Sequence, residues 1–337
     1  MSTYERLAGL ELELEGYDLE RRSQEVSSGF TRVTTTIVLH GRDVEGRGED
    51  VVYEADDHDK HALPRLVGRF TLDDFSRALD GVELSSAALL RESSRDYRRW
   101  AYESAALDLA LRQTGISLGE ALVREYRPVR FVVSTRLDPL DWLAVDPGLE
   151  FKLDPVSEWD RTHMERLAAT GRIRVLDLKA YYVGTAVDGE PDARLYRDCA
   201  ELFPDAVIED AALTPETREA LRGAEERLSW DAPIHSVADV EALEIPPRWL
   251  NIKPSRFGTL QRLLDCLDWC AEHGVTTYGG GQFELGAGRG QIQALASLFY
   301  ADAPNDVAPS AYNTPEPLPD LPASPLAPPE RPIGFSF

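Results

Sequence analysis

The feature that most constrains the fold is a regular alternation of short apolar runs and helix-length segments after Pro128. The apolar runs occupy residues 130–135, 149–154, 173–178, 206–209, 228–231, 249–252, 275–279 and 306–309. Strands that alternate with helices favour parallel pairing, and eight such units suffice to close a sheet on itself. The pattern therefore predicts an α/β fold with a closed (β/α) barrel rather than an open sheet.

The residues before this alternation follow different periods. Three segments with apolar residues at every second position, "LAGLELELEGYDL", "FTRVTTTIVLHG" and "GRGEDVVYEA", predict a three-stranded antiparallel sheet. From Phe70 the spacing becomes helical, first after a Thr-x-x-Asp start and then in a longer segment that ends at Gly115. We therefore predict an α+β domain over residues 1–125 and a TIM-type barrel over residues 126–313.

The chain closes with a proline-rich tail, residues 314–337. Proline lacks the amide proton that strands and helices need, so the tail is predicted either to run extended over the surface or to be disordered. The cysteines, Cys199, Cys266 and Cys270, have no spacing typical of a disulfide framework or a zinc site. The last two are predicted to share one buried helix face.

Charge and hydropathy exclude several classes of partner. The chain has 59 acidic and 36 basic residues and a net charge of -23, without the clustered cations that phosphate backbones require. No apolar run approaches the roughly 20 residues that cross a bilayer, and the N-terminus lacks the pattern of a signal peptide. We expect a soluble, cytoplasmic protein that binds neither nucleic acid nor membranes; formation of a homo-oligomer stays open.

Charged residues stand at the ends of five consecutive predicted strands, where the catalytic groups of a closed barrel lie. In chain order they are Lys152, Asp177, Glu209, Asp231 and Lys253. Three carboxylates at one barrel mouth repel one another unless a cation lies between them, and hard oxygen ligands suit Mg²⁺. The lysines would flank that ion, where desolvation and the cation can lower a lysine pKa enough for proton abstraction.

Several segments also resemble one known family. "FKLDP", "VIEDAAL", "LNIKPSRFGTL" and "GGGQFELGAGRGQIQALASLF" are similar to the muconate-lactonizing subgroup of the enolase superfamily, most closely to its o-succinylbenzoate synthase and N-acylamino acid racemase branch. The resemblance covers almost the whole chain apart from the tail. It implies that residues 1–125 form a capping domain whose loops, about 23–30 and 53–61, close over the barrel mouth and are mobile.

The resemblance also implies a role for each strand-end residue. Asp177, Glu209 and Asp231 would bind Mg²⁺, with Mn²⁺ as a substitute, and Lys152 and Lys253 would form the acid/base pair. Intervals of 22 residues separate Glu209 from Asp231 and Asp231 from Lys253, as one strand–helix–strand unit requires. The substrate would be a small carboxylate, and its pocket would be lined by Ser134, Lys179, Gly281, Glu284 and Arg289.

The implied reaction is that of a metal-dependent lyase or isomerase. Such an enzyme abstracts the proton α to a carboxylate through an enediolate intermediate, as in an o-succinylbenzoate synthase or an N-acylamino acid racemase. Racemisation, elimination and cycloisomerisation all stay open. The alternative is a non-catalytic enolase-like protein that binds a carboxylate or a protein partner.

Three departures from the family pattern favour that alternative. Glu150 replaces the first lysine of a usual Lys-x-Lys, Lys179 replaces an asparagine, and Ala232 stands where an acid often follows the third ligand. Glu150 is expected to pair with an inward lysine, and Lys179 either to form a salt bridge at the rim or to face substrate. A second register puts Asp154 in the catalytic place, but "KLDP" favours Lys152.

Other polar residues are secondary candidates. His58 and His61 lie among aspartates in a predicted capping loop, which is either a second metal site or a plain acidic loop. His235 either contacts substrate or begins a helix, and Arg32 is a candidate substrate contact from the capping domain. The glycines at 279–281 predict a tight turn at which the backbone approaches a ligand.

Overall fold

The computed structural model describes residues 1–26, 29–182, 184–185, 188–314 and 316–337. Its helices are α1 (Glu5–Ala8), α2 (Leu72–Asp80), α3 (Ser94–Thr114), α4 (Leu118–Leu122), α5 (Pro139–Val145), α6 (Arg161–Ala168), α7 (Ala193–Leu202), α8 (Pro215–Ala220), α9 (Val237–Glu241), α10 (Pro254–Phe257), α11 (Leu260–His273) and α12 (Ala287–Phe299). Its strands are β1 (Glu11–Leu14), β2 (Gly16–Glu25), β3 (Thr31–Gly41), β4 (Val44–Asp50), β5 (Gly68–Thr71), β6 (Val133–Ser134), β7 (Phe151–Leu153), β8 (Ile173–Asp177), β9 (Val207–Glu209), β10 (Leu228–Trp230), β11 (Trp249–Ile252) and β12 (Thr276–Gly279). Short 3₁₀ helices span Ala55–Lys60, Glu225–Arg227 and Ser310–Asn313.

The N-terminal domain is an antiparallel sheet covered by a long helix. Strands β2, β3 and β4 pair in that order, and α3 lies across β3 and β4. Gly46 and Gly48 permit this close packing, because an added Cβ would lie 2.3 Å from the carbonyl oxygen of Ala105 and 2.0 Å from that of Ala101. The predicted first strand is divided: β1 pairs with β5 instead, so one apolar run contributes to two sheets.

The barrel is built from β6 to β12, which form a parallel sheet in chain order within the described residues. The eighth predicted strand is wrong as a strand: Asn305 and Asp306 make only isolated parallel bridges, to Phe131 and Gly280. The Val132 amide donates to the Asn305 carbonyl, and the Asp306 amide to the Gly279 carbonyl, both at 2.8 Å. These bonds join the two edges of the sheet, so the barrel closes through a short segment between two prolines.

The proline-rich tail runs extended against both domains. Leu326 pairs with Val129 just before the first barrel strand, and Gly334 pairs with Ser117. Phe335 is 1% exposed and meets the ring of Trp100 edge-on, with centroids 6.3 Å apart. The tail therefore connects the barrel with helix α3 of the capping domain.

Most of the apolar core lies between the barrel strands and the surrounding helices. Cys266 and Cys270 are both buried on α11, as their spacing predicted, and Cys199 is buried on α7. Across the described ranges, no helix has the length and apolar character that a membrane crossing requires.

Two buried charged side chains hold the capping domain on the barrel. Glu49 of β4 accepts hydrogen bonds of 2.7 to 3.0 Å from the amides of Leu285, Gly286 and Gly288, at the start of α12. Unpaired amides at a helix N-terminus favour a negative charge. Arg32 donates to the Gln282 carbonyl at 3.0 Å and to two carbonyls of its own domain. Its donors thus fasten the domains together, whereas the sequence suggested a substrate contact.

Glu49→Ala is expected to lower the free energy of unfolding by about 2–4 kcal/mol, because it leaves several buried amides without an acceptor. Urea unfolding followed by circular dichroism measures the change. Glu11→Ala, at an exposed position on β1, is the matched control and should change stability by less than about 0.5 kcal/mol. Equal stability of the Glu49 variant and the wild type would contradict this account of domain docking.

Candidate active site

The predicted strand-end residues meet at one end of the barrel. Lys152, Asp177 and Glu209 lie on β7, β8 and β9, while Asp231 and Lys253 directly follow β10 and β11. The carboxyl ends of parallel strands share one rim, so period-two alternation directs these side chains inward together. All five are buried, and Lys253 is the most exposed of them at 6%.

Three of these residues form a compact carboxylate triad. Asp177, Glu209 and Asp231 each offer an oxygen, and these oxygens all lie within 4.8 Å of one another. Oxygens bound to one Mg²⁺ at about 2.1 Å lie at most about 4.2 Å apart, so a small inward movement completes a ligand set. The predicted convergence of the triad is confirmed, and its donor chemistry fits a hard divalent ion.

The electrostatics of the triad also fit an added cation. Burial and the neighbouring Asp177 raise the pKa of Glu209 to about 8. Burial and the nearby Asp231 raise the pKa of Asp210 to about 7. The local lysines and arginine therefore do not fully compensate the buried negative charge, and a divalent ion would stabilise the ionised carboxylates.

The two predicted bases contact different members of the triad. The Lys152 ammonium lies 2.6 Å from Glu209 Oε1 and 3.1 Å from Asp177 Oδ2, whereas the Lys253 ammonium lies 2.8 Å from Asp231 Oδ2. Burial alone would lower the pKa of Lys152, but Asp177 and Glu209 outweigh it and hold that pKa well above its ordinary value. The predicted lowering is therefore wrong for the side chains alone, because the nearest charges are carboxylates.

Sequence reasoning missed several partners of the triad. Glu209 accepts hydrogen bonds from Tyr278 at 2.6 Å and from Asn251 at 3.1 Å, and Asp231 accepts from Tyr182 and Arg256 at 3.0 Å. Asn251 stands two residues before Lys253, so strand alternation could have placed it on the same inward face. Nothing in the pattern indicated Arg256, which comes from the short helix α10, or Tyr182, which comes from the segment after β8.

Asp210 orients the third ligand through the backbone. It has a left-handed φ of 53°, and its carboxylate accepts hydrogen bonds from the amides of Asp231 at 2.8 Å and Ala232 at 3.0 Å. The segment that carries Asp231 is thus fixed by a buried acid on the neighbouring strand end.

Lys179 enters the same cluster. Its ammonium pairs with Asp177 Oδ2 and lies 3.5 Å from Asp154 Oδ1, and its own amide donates to Asp177 Oδ1 at 3.2 Å. The chain contains four lysines and 32 arginines. Three of the four lysines lie at this barrel mouth, and the fourth is Lys60 of the capping domain.

The other predicted substrate-lining residues fall on two sides of the triad. Ser134 lies opposite Lys152 in the strand register. Glu284 and Arg289, after β12, form an ion pair of 3.1 Å, and a Cβ added at Gly281 would lie 2.7 Å from Glu284 Oε2. A cavity of about 730 Å³ lies beside the triad on the Ser134 side, lined by Thr135, Arg136, Asp154, Trp159, His163 and Lys179. Of the predicted lining residues, only Lys179 reaches this cavity.

The glycine run after β12 makes room for side chains of the site. A Cβ added at Gly280 would lie 2.3 Å from Asn251 Oδ1 and 2.8 Å from Lys253 Cε. The backbone therefore approaches Lys253 itself, whereas the sequence suggested an approach to a ligand.

Glu150 and His235 have structural partners. Glu150 accepts hydrogen bonds from Arg130 at 2.7 Å and Arg174 at 2.6 Å, so the predicted lysine partner is wrong. His235 lies 2.8 Å from the Arg256 carbonyl through Nδ1, and its amide donates to Asp239 Oδ2 of α9 at 3.0 Å. The helix-start role of His235 is the one these contacts support.

The histidines of the capping loop form a second cluster with Asp50. Ligand atoms of Asp50, His58 and His61 lie within 4.8 Å of one another. However, Arg98 Nε lies 2.9 Å from Asp50 Oδ2, and both ring nitrogens of His58 have protein partners, the Thr35 hydroxyl and the Val52 carbonyl. These contacts make the cluster an anchor for the loop rather than a metal site.

Capping loops reach the barrel mouth through aromatic rings. Phe30, in the β2–β3 hairpin, meets Phe283 of the barrel edge-on at 5.7 Å, and Tyr53 lies 6.5 Å from Phe30. Residues 27 and 28 of the predicted loop 23–30 lie outside the described residues. In the predicted loop 53–61, Asp57 and His58 are buried in a 3₁₀ helix, so that segment is more structured than predicted. Mobility of both loops stays a prediction.

Comparisons with known proteins agree with this geometry. Two family models match the chain, "Domain of unknown function (DUF8230) N-terminal domain" over residues 5–121 and "Domain of unknown function (DUF8230) C-terminal domain" over residues 125–314. The o-succinylbenzoate synthase of Bacillus subtilis (strain 168) is 27% identical over 265 residues, which cover 74% of this chain and 67% of that protein.

Solved structures share the fold at low identity. The muconate lactonizing enzyme from Pseudomonas putida is 18% identical, with a TM-score of 0.63 and coverage of 88% of each chain. The dipeptide epimerase from Methylococcus capsulatus, complexed with a Mg ion, is 18% identical, with a TM-score of 0.63 and coverage of 96% of this chain and 99% of that chain. The chain belongs to the DUF8230 family, and it is an enolase-superfamily protein with the fold of the muconate-lactonizing subgroup.

Proposed function

We propose that this protein is a divalent-metal-dependent lyase or isomerase that removes the proton α to a substrate carboxylate. The observation that carries the proposal is the arrangement of Lys152 and Lys253 around the buried triad of Asp177, Glu209 and Asp231. The triad would hold Mg²⁺ or Mn²⁺. When bound, that ion would stabilise the negative charge of the enediolate that forms as the proton leaves.

The chain's own residues supply the proton transfer. Lys152 and Lys253 would each face one side of the α-carbon, so one removes the proton and the other can return it. Asn251 and Tyr278 hold the carboxylate of Glu209, and Arg256 holds that of Asp231. Phe30, Phe283 and Tyr53 would limit the access of water to the charged intermediate.

The use of lysine supports this assignment. Ion pairs elsewhere in the chain are made almost entirely with arginine, which stays protonated and cannot act as a base. Lysine is retained where a titratable amine is useful, and the barrel mouth holds three of the four. A barrel that only bound a carboxylate would have no need of two opposed amines.

We infer that the reaction is of the o-succinylbenzoate synthase or N-acylamino acid racemase type, supported by the Bacillus relative. Ser134, Lys179, Gly281, Glu284 and Arg289 would line the pocket for a small carboxylate. Incubation with Mg²⁺ and each substrate class, followed by chiral chromatography and mass spectrometry, decides between them. Inversion without loss of mass indicates racemisation, and loss of water indicates synthase activity.

A non-catalytic carboxylate-binding protein is the second candidate. It is favoured by one observation: every oxygen of the triad already accepts a hydrogen bond from a protein donor. Saturation of the substrate site without turnover of either class, measured by calorimetry beside the product assay, would support this candidate and contradict the enzyme.

Gly280→Ala is expected to lower the rate of α-proton removal by roughly 100-fold, because the added Cβ displaces Lys253 and small misplacements of a catalytic group are costly. Solvent deuterium incorporation into the substrate measures the rate. Gly9→Ala is the matched control, since a Cβ there meets nothing within 4 Å. Full activity of the Gly280 variant would contradict the assigned position of Lys253.

Mg²⁺ binding is expected to strengthen with pH between about pH 6.5 and 8.5. The pKa of Glu209 is raised to about 8, so below that pH a proton must leave before the carboxylate can bind the ion. The apparent affinity should rise by up to about tenfold per pH unit for one displaced proton. Calorimetry in buffers of different protonation enthalpy measures the proton release, and affinity independent of pH would contradict the raised pKa.

A further inference from the structure

The position of Lys179 is unusual for a salt-bridging lysine. It follows Asp177 by two residues, and its left-handed φ of 57° turns the side chain back onto that carboxylate. Its ammonium contacts Asp177 Oδ2, the oxygen that Lys152 also contacts at 3.1 Å. The Lys179 amide donates to Oδ1 at 3.2 Å. One residue therefore occupies both oxygens of a triad carboxylate.

A second acid stands within reach of the same ammonium. Asp154, at the end of the second barrel strand, lies 3.5 Å from Lys179 Nζ through Oδ1, and its Oδ2 lies 3.6 Å from Arg136. A lysine ammonium is a compact charge on a flexible stem, so it can leave one carboxylate for another without moving the backbone. The side chain is 17% exposed and borders the cavity of about 730 Å³, which leaves room for that movement.

We propose that Lys179 is an internal cation that competes with the divalent ion for Asp177 and thereby sets the metal affinity of the site. In this account the ammonium shifts to Asp154 when the ion binds. The inference rests on the proposed function, because it assumes that the triad binds a divalent ion. It assigns to Lys179 a role in metal loading and to Asp154 the role of its second position.

Calorimetric titration of the full chain with Mg²⁺ alone tests the proposal without any substrate. Lys179→Met keeps the length of the side chain and removes its charge, and it should tighten Mg²⁺ binding by about tenfold or more. Asp154→Asn removes the second position and should weaken binding, by about threefold or more. The two variants thus predict changes of opposite sign.

Lys60→Met is the matched control, because Lys60 also forms an ion pair, with Asp57 at 2.6 Å, but lies in the capping domain. Its Mg²⁺ affinity should equal that of the wild type. Lys179→Arg keeps the charge and should stay within about threefold of the wild type, which separates charge from packing. Thermal unfolding of each variant establishes that it is folded, and Asp154→Asn carries the test if Lys179→Met does not fold.

Wild-type affinity in the Lys179→Met variant, or weaker binding, would overturn the competition while leaving the proposed function intact. Tighter binding in Asp154→Asn would also overturn it. Failure of both wild type and Lys179→Met to bind Mg²⁺ at millimolar concentration would overturn the competition together with the metal dependence of the proposed function.

Discussion

Lys253→Ala is expected to lower turnover by about 100-fold or more, the range typical of losing a general acid or base. The Lys253 ammonium is the amine that contacts Asp231, whereas Lys152 contacts the other two carboxylates of the triad. No neighbouring side chain can replace it as a base, because Arg256 stays protonated at any working pH. The rate of α-proton exchange measures the loss directly.

The controls for this variant separate chemistry from binding. Lys253→Arg keeps the positive charge and should lose the same activity, since the guanidinium cannot accept the proton. Mg²⁺ binding should be retained in both variants, because the triad is intact. Lys152→Ala should show a similar loss, and in a racemase it should leave exchange of one substrate enantiomer partly alive. Near-normal exchange in both alanine variants would refute the two-base mechanism.

Glu209→Gln is expected to weaken Mg²⁺ binding by at least about 100-fold and to abolish turnover. Glu209 lies between the two other ligands, and it accepts hydrogen bonds from Lys152, Asn251 and Tyr278. An amide of the same shape keeps the volume but removes the charge that a hard cation needs. Calorimetric titration with Mg²⁺ measures the affinity.

A buried carboxylate outside the triad provides the control. Glu103 of α3 is 5% exposed and pairs with Arg99 at 2.9 Å in the capping domain. Glu103→Gln should therefore leave Mg²⁺ affinity within about threefold of the wild type, although it also removes a buried charge. An equal loss of affinity in both variants would show that the effect comes from general destabilisation.

Much of the fold was predictable because barrel strands are buried on both faces and leave apolar runs between helices. The eighth run failed as a strand because Pro304 and Pro309 leave too few amides for a ladder, and only Asn305 and Asp306 pair. The first run failed as one strand because alternation does not reveal which sheet a strand joins. The domain boundaries at residues 125 and 313 stay predictions.

The site was predictable where it depends on strand position. Asp177 and Glu209 end their strands, and alternation fixes their inward direction. Arg256 and Tyr182 were not predictable, because they reach the triad from a short helix and a loop whose conformations leave no periodic signal. The pKa of Lys152 was predicted in the wrong direction, since the balance between burial and neighbouring charges depends on distances that a sequence does not contain.

Solvent deuterium exchange at the α-carbon tests the central claim most directly, because it does not require the final product to be known. The full chain is incubated in D₂O with a panel of N-acyl amino acids, succinylated aromatic acids and muconates, with Mg²⁺ and then with EDTA. The account predicts deuterium incorporation into at least one class, dependent on Mg²⁺ and lost in Lys253→Ala. Incorporation that persists in EDTA, or in Lys253→Ala at the wild-type rate, would contradict a metal-dependent proton abstraction by this site.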